Sequence, residues 1–158
     1  MKSSSPNIAD LIPHQGSMCL LDSVETWDDE HIVCLATSHR RLDNPLRDGS
    51  GLRALCAIEY GAQAIAAHAF LTQASPGGRS GIGLLAAARD VIATVSHLDN
   101  VDGPLTIRAQ AVLRFDRGNI YDVAIQYRER PLLTGRLTVV LVNASVERKP
   151  VNQGGDER

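Results

Sequence analysis

A chain of 158 residues, 44% hydrophobic and 22% charged, suits one soluble globular domain that buries its own core. The formal net charge of −2, with no basic block and no aromatic-interleaved basic stripe, gives no reason to expect nucleic acid. Cys19, Cys34 and Cys56 are odd in number and widely spaced without a CxxC, which argues against a disulfide framework or a zinc site and for reduced thiols in the cytoplasm.

The first seven residues and the tail from Lys149 are polar and aperiodic and are expected to be disordered, leaving a single domain over 8–148. The N-terminus lacks an apolar core of signal-peptide length, and no stretch is expected to reach the ~18 apolar residues of a membrane span. Residues 8–12 read as a helical turn stopped by Pro13, and 13–17 as a loop punctuated by Pro13 and Gly16. A strand, or a short helix leading into one, follows over 18–27. After the acidic turn Asp28, Asp29, Glu30, a second strand over 31–37 puts Ile32, Cys34 and Ala36 on one face. Residues 38–50 form a long polar connection, and such connections are often functional.

The stretch 51–72 is rich in Ala and Leu, free of Pro and too long for a strand, so it predicts a helix. It is apolar on nearly every side and is expected to be buried all round. It nevertheless carries Glu59 and, four residues on, Gln63, which share a face. A carboxyl buried among apolar groups is costly unless it is bonded or protonated, and the protonated form suits a general acid. A loop at 74–80 and a strand over 81–96, bent near 88–90, come next. Strands over 105–115, 120–128 and 132–142 then follow, joined by turns at Gly118 and Pro131. The alternation places Ile107, Ala109, Ala111, Leu113 and Phe115 on one face of the first, and Tyr121, Val123, Ile125 and Tyr127 on one face of the second. The one long apolar helix is the object to cover that face, so the chain is expected to be α+β, one antiparallel sheet around one central helix.

Two pieces carry a resemblance. Leu11-Ile-Pro-His14-Gln-Gly-Ser-Met-Cys-Leu-Leu-Asp22 is similar to the Leu-Pro-His opening of the dehydratases that act on acyl carrier protein (ACP), and Glu59-Tyr-Gly-Ala-Gln63 to their Glu-x-x-Ala-Gln on the central helix. With Asp43-Asn-Pro-Leu46, the chain resembles the ApeP-like subgroup, which serves aryl-polyene and related polyketide-like pathways. The resemblance implies a hotdog fold and the dehydration of 3-hydroxyacyl thioesters to trans-2-enoyl thioesters. The substrate would ride on the phosphopantetheine of ACP, with no other cofactor and no metal. It further implies a homodimer or dimer of dimers, with a ketosynthase as a possible partner. One departure stands out. The fatty-acid dehydratases place a histidine fourteen residues before the helix glutamate, and here that position is Pro45.

The elimination needs a base for the C2 proton, an acid for the C3 hydroxyl and donors for the thioester oxygen. Of the five histidines, His14 is the first candidate for the base and His39 the second, ahead of His31, His68 and His97. Glu59 is the candidate acid. The backbone N–H groups of Ala54, Leu55 and Cys56, at the positive end of the helix, are the candidate oxyanion donors. Gln63 would orient the site. Leu85 and Ala86 are candidates to line the acyl tunnel, and Arg89, Arg53 and Arg47 to meet the carrier's phosphopantetheine. Two other readings stay open: a hotdog thioesterase, in which a carboxylate activates water, and a non-catalytic acyl-binding partner of an active dehydratase.

Overall fold

The computed structural model describes residues 6–72 and 82–142; the expectations for the first five residues, the loop at 74–80 and the C-terminal tail lie outside the described residues. Six strands and one α-helix follow in order: β1 (Ser23–Trp27), β2 (His31–Ala36), α1 (Ala57–Thr72), β3 (Ile82–Ala93), β4 (Leu105–Phe115), β5 (Gly118–Tyr127) and β6 (Arg130–Val142). All pairings are antiparallel, in the sheet order β1-β2-β4-β5-β6-β3. The meander β4-β5-β6 comes directly from short turns between alternating strands. The β1-β2 hairpin extends one side of it, and β3, formed earlier in the chain, closes the other.

The inner face of this sheet wraps α1. Leu105, Ile107 and Ala109 of β4 meet Tyr121, Val123 and Ile125 of β5 and Leu133 and Leu137 of β6, all nearly inaccessible. Tyr60, Gly61, Ala64, Ile65, Ala67 and His68 are the buried side of the helix. A side chain such as Ile65 stabilises the fold by about 2 kcal/mol when removed from water. Gly61 lets helix and sheet approach: a Cβ there would stand 3.3 Å from Leu137 Cδ1 and 3.4 Å from Val123 Cγ1. This is the hotdog arrangement that the resemblance implied.

Three expectations are corrected. The helix does not begin at residue 51. Ala54 N–H bonds Ser96 O at 2.9 Å and Leu98 N–H bonds Leu52 O at 2.8 Å, with Arg53 bridged to His97. Backbone bonded sideways to another segment is not helical, so a 3-10 turn, Ala54–Cys56, starts the element instead. In β4 the alternation breaks at a register shift between Ala111 and Leu113, and Leu113 and Phe115 lie 53% and 40% exposed instead of inside. Finally, the run 54–72 is long and apolar enough by length and hydropathy to cross a membrane. Its place here is inside the sheet. The bend expected in β3 is present, with Asp90 at φ 51 and a register shift between Arg89 and Ile92.

Candidate active site

The site is built where the 13–20 loop lies along the first turns of α1. Gln63, fully buried on the helix, straps the loop down: its Nε2 donates to Met18 O at 2.8 Å and its Oε1 accepts Leu20 N–H at 3.0 Å. Arg41 adds a bond from Nη2 to Ser17 O at 3.0 Å. Gly16, at φ 59, lets the loop turn. The strapping carries His14 onto Glu59, with Nε2 3.0 Å from Oε1 and the two side chains 28% and 29% exposed. Gln63 Nε2 also donates to the same Oε1, at 3.1 Å. Glu59 therefore sits at the rim of the first helical turn, and not deep in a buried helix as the apolar pattern suggested. Its Oε2 makes no bond to a described residue. The arrangement assigns the proton of a neutral His14 to Nε2 and the free lone pair to Nδ1, which is buried and has no partner among the described residues.

The three expected oxyanion donors separate. Ala54 N–H is engaged by Ser96 and Cys56 N–H bonds Arg53 O at 3.0 Å. Leu55 N–H alone has no partner among the described residues, and its residue is 61% exposed.

His39 is spent on the fold. It is fully buried, its Nε2 bonds Val101 O at 3.0 Å, and burial holds its pKa below the usual imidazole range. The residue next to the position fourteen before Glu59 is also structural. Beside exposed Pro45, Asn44 is 3% exposed; its Nδ2 donates to Ser38 O at 2.9 Å and to Tyr60 Oη at 3.1 Å, and its Oδ1 accepts Leu46 N–H at 2.9 Å. Ser38 Oγ bonds Tyr60 Oη and Leu20 O, both at 2.7 Å, which closes the network. Burial pushes the Tyr60 phenol up, so it stays neutral. Nothing in the sequence marked Ser38 or Tyr60, because their role appears only once the loop folds over the helix.

The sequence matches the ApeP-like family, described as ApeP dehydratase, over residues 6–148. This chain belongs to the ApeP-like dehydratase family. Among solved structures, the dehydratase heterocomplex ApeI:P from Xenorhabdus doucetiae contains a chain 25% identical, with a TM-score of 0.79 over 89% of this chain and 94% of that one. AziG from S. sahachiroi is 17% identical, with a TM-score of 0.57 over 78% of this chain and 91% of its own. A thioesterase from Pseudomonas aeruginosa is 15% identical, with a TM-score of 0.56 over 77% and 81%. The last two share the fold. No curated protein matches the sequence.

The remaining candidates of this ApeP-like chain scatter around the sheet. Leu85, 42% exposed, and Ala86 lie on the edge strand β3. Arg89, on the same strand, faces Arg136 of β6 across the register. Arg53 is 65% exposed and 3.4 Å from Asp48, whereas Arg47 is committed to Asp99 at 3.1 Å. His31 pairs with Asp28 on the surface at 2.9 Å; the Asp28 carboxyl is held down at about 2, first by Glu30 N–H and then by His31. His68 is a core histidine, bonded at 2.8 Å both to Tyr121 Oη and to Asp28 O. His97 Nδ1 bonds Ser96 Oγ at 3.2 Å and lines a cavity of about 600 Å³ near Asn100, Tyr127 and Arg130, away from the Glu59 pair. Burial pushes the Cys34 thiol up to about 12 and raises that of Cys56, so neither is set up as a nucleophile. Among the described residues no cluster of three His, Cys, Asp or Glu side chains could hold a metal.

Proposed function

We propose that this ApeP-like chain eliminates water from 3-hydroxyacyl thioesters carried on the phosphopantetheine of ACP. The observation that carries the reading is the 3.0 Å contact between His14 and Glu59. His14 takes the C2 proton at its uncommitted nitrogen. Glu59 gives the proton on Oε2, the oxygen that neither His14 nor Gln63 engages, to the C3 hydroxyl, which leaves as water. The C2–H electrons form the C2–C3 double bond as the C3–O bond breaks. The site is then an imidazolium beside a carboxylate at hydrogen-bond distance, and release of the Nδ1 proton to solvent with uptake of one at Glu59 Oε2 resets it. Nδ1 is covered in this structure, so substrate entry has to uncover it while Nε2 keeps its contact with Glu59. Leu55 N–H, at the positive end of α1, takes the thioester oxygen. Leu85 and Ala86 face the acyl chain, and Arg53 and Arg89 meet the carrier.

The assembly belongs to the same reading. Among the described residues β3 is an unpaired edge of the sheet, twelve residues long, with Leu84, Leu85 and Ile92 exposed. Long apolar edges are normally covered. A second copy of this chain, or a second hotdog chain, covers it. The similarity to a chain from a dehydratase heterocomplex supports a different companion chain over a second copy.

The thioesterase reading rests on Glu59 Oε2, which makes no bond to a described residue on a side chain 29% exposed and could activate a water. Hydration of a trans-2-enoyl thioester, on ACP and on pantetheine, separates the two through loss of the conjugated-enoyl absorbance. The wild type is expected to hydrate the substrate. His14→Ala and Glu59→Gln should each lower kcat/KM by about 10²- to 10⁴-fold while remaining folded. A wild type that releases free thiol from acyl-CoA and leaves the enoyl group intact would establish the thioesterase instead.

A further inference from the structure

We infer that Asp99 is a positioning residue for this site, fixing the start of α1 so that Leu55 N–H points at the thioester oxygen; the inference rests on the dehydratase reading above. Asp99 lies in the turn after β3, with a side chain 15% exposed. Its Oδ1 accepts Leu52 N–H at 3.0 Å, and its Oδ2 meets Arg47 Nη2 at 3.1 Å. The carboxylate fills space that only glycine leaves. Gly51 has φ +107, and a Cβ on it would stand 2.6 Å from Oδ2. Two backbone bonds clamp the same segments beside it, Leu98 N–H to Leu52 O and Ala54 N–H to Ser96 O. Arg53, at the N-cap, makes no side-chain capping bond; the Asp48 carboxylate holds Ser50 and lies 3.4 Å from Arg53, and Asp99 holds Leu52 N–H, nearer the helix.

Leu55 is three residues beyond the held Leu52, and its N–H is the one left without a partner in that turn among the described residues. Where that N–H points follows from the clamp. A donor aimed at a developing oxyanion is sensitive to displacements of about 1 Å, which cost roughly 100-fold in rate. Such a loss falls on kcat, because the bond strengthens in the transition state.

Steady-state hydration kinetics of Asp99→Ala and Asp99→Asn test this. Asp99→Ala should lower kcat by about 10- to 100-fold with KM within about twofold. Asp99→Asn keeps a carbonyl oxygen for Leu52 N–H and should recover kcat to within about fivefold of wild type. Amide hydrogen exchange over 52–56 should accelerate in Asp99→Ala and not in Asp99→Asn, with β4, β5 and β6 unchanged in both. An unchanged kcat in Asp99→Ala, an effect confined to KM, or an Asp99→Asn as impaired as Asp99→Ala would each overturn the inference. A wild type without hydration activity would instead sink the dehydratase reading, and the exchange comparison would still decide the clamp.

Discussion

Asn44 makes three bonds with one buried amide, to Ser38, Tyr60 and Leu46. Removing it leaves Leu46 N–H without its acceptor and takes one donor each from Ser38 O, which keeps Arg41 N–H, and Tyr60 Oη, which keeps Ser38 Oγ. Asn44→Ala is therefore expected to cost about 2–4 kcal/mol in urea denaturation. The loop that holds it is scaffold at the position where related enzymes keep a histidine. His14 and Glu59 were legible as candidates from motif and spacing. The choice between His14 and His39 was not, since each sits in a loop, one opened by Pro13 and one at the start of the 38–50 connection, and a loop has no periodicity to tell its side chains apart. Full burial of His39 and 28% exposure of the His14 side chain separate them, and both come from tertiary packing. The oxyanion donors show the same limit: whether Ala54 N–H is free depends on Ser96, forty-two residues away in sequence.

Two buried histidines tie elements together. His39 fastens the 38–47 connection to Val101, and His68 fastens α1 to the β1-β2 turn through Asp28 O. Burial is the largest cause holding both pKa values below the ordinary imidazole range. The unfolded chain takes up these protons as the pH falls through about 6.5, and the folded chain resists. Stability is thus full above that value and declines below it, by about 1.4 kcal/mol per pH unit for each histidine until the folded value is reached. Asp28, held at about 2, adds a further loss of stability as the pH falls from about 4 towards 2. Urea midpoints measured from pH 7.5 to 5 should fall, and His68→Gln should make the decline shallower; a flat wild-type profile would contradict the assignment. Strand existence was legible from alternation. The bulge in β4 was not, because it is set by how Ala111 and Leu113 match Tyr121 and Ile120 on the neighbouring strand.

At the scale of the whole molecule, the count of strands and the central helix could be read from the order of apolar segments. Which strand ends at the edge could not. β3 precedes the meander but pairs with β6, the last strand, and local pattern does not encode so distant a choice. The placement matters because β3 exposes its apolar residues to whatever completes the sheet, while the His14–Glu59 contact forms within a single chain. Subunit-mixing experiments expose the consequence. Hybrids assembled from His14→Ala and Glu59→Gln subunits contain no intact pair and should be as inactive as their parents. Sites that borrowed the two side chains from opposite subunits would regain one intact copy per hybrid, and recovered activity would refute the single-chain pair. The companion proposed beside β3 would accordingly carry no obligation to preserve acid or base. Outside its own core and the surface seated against that strand, its sequence would be free to diverge.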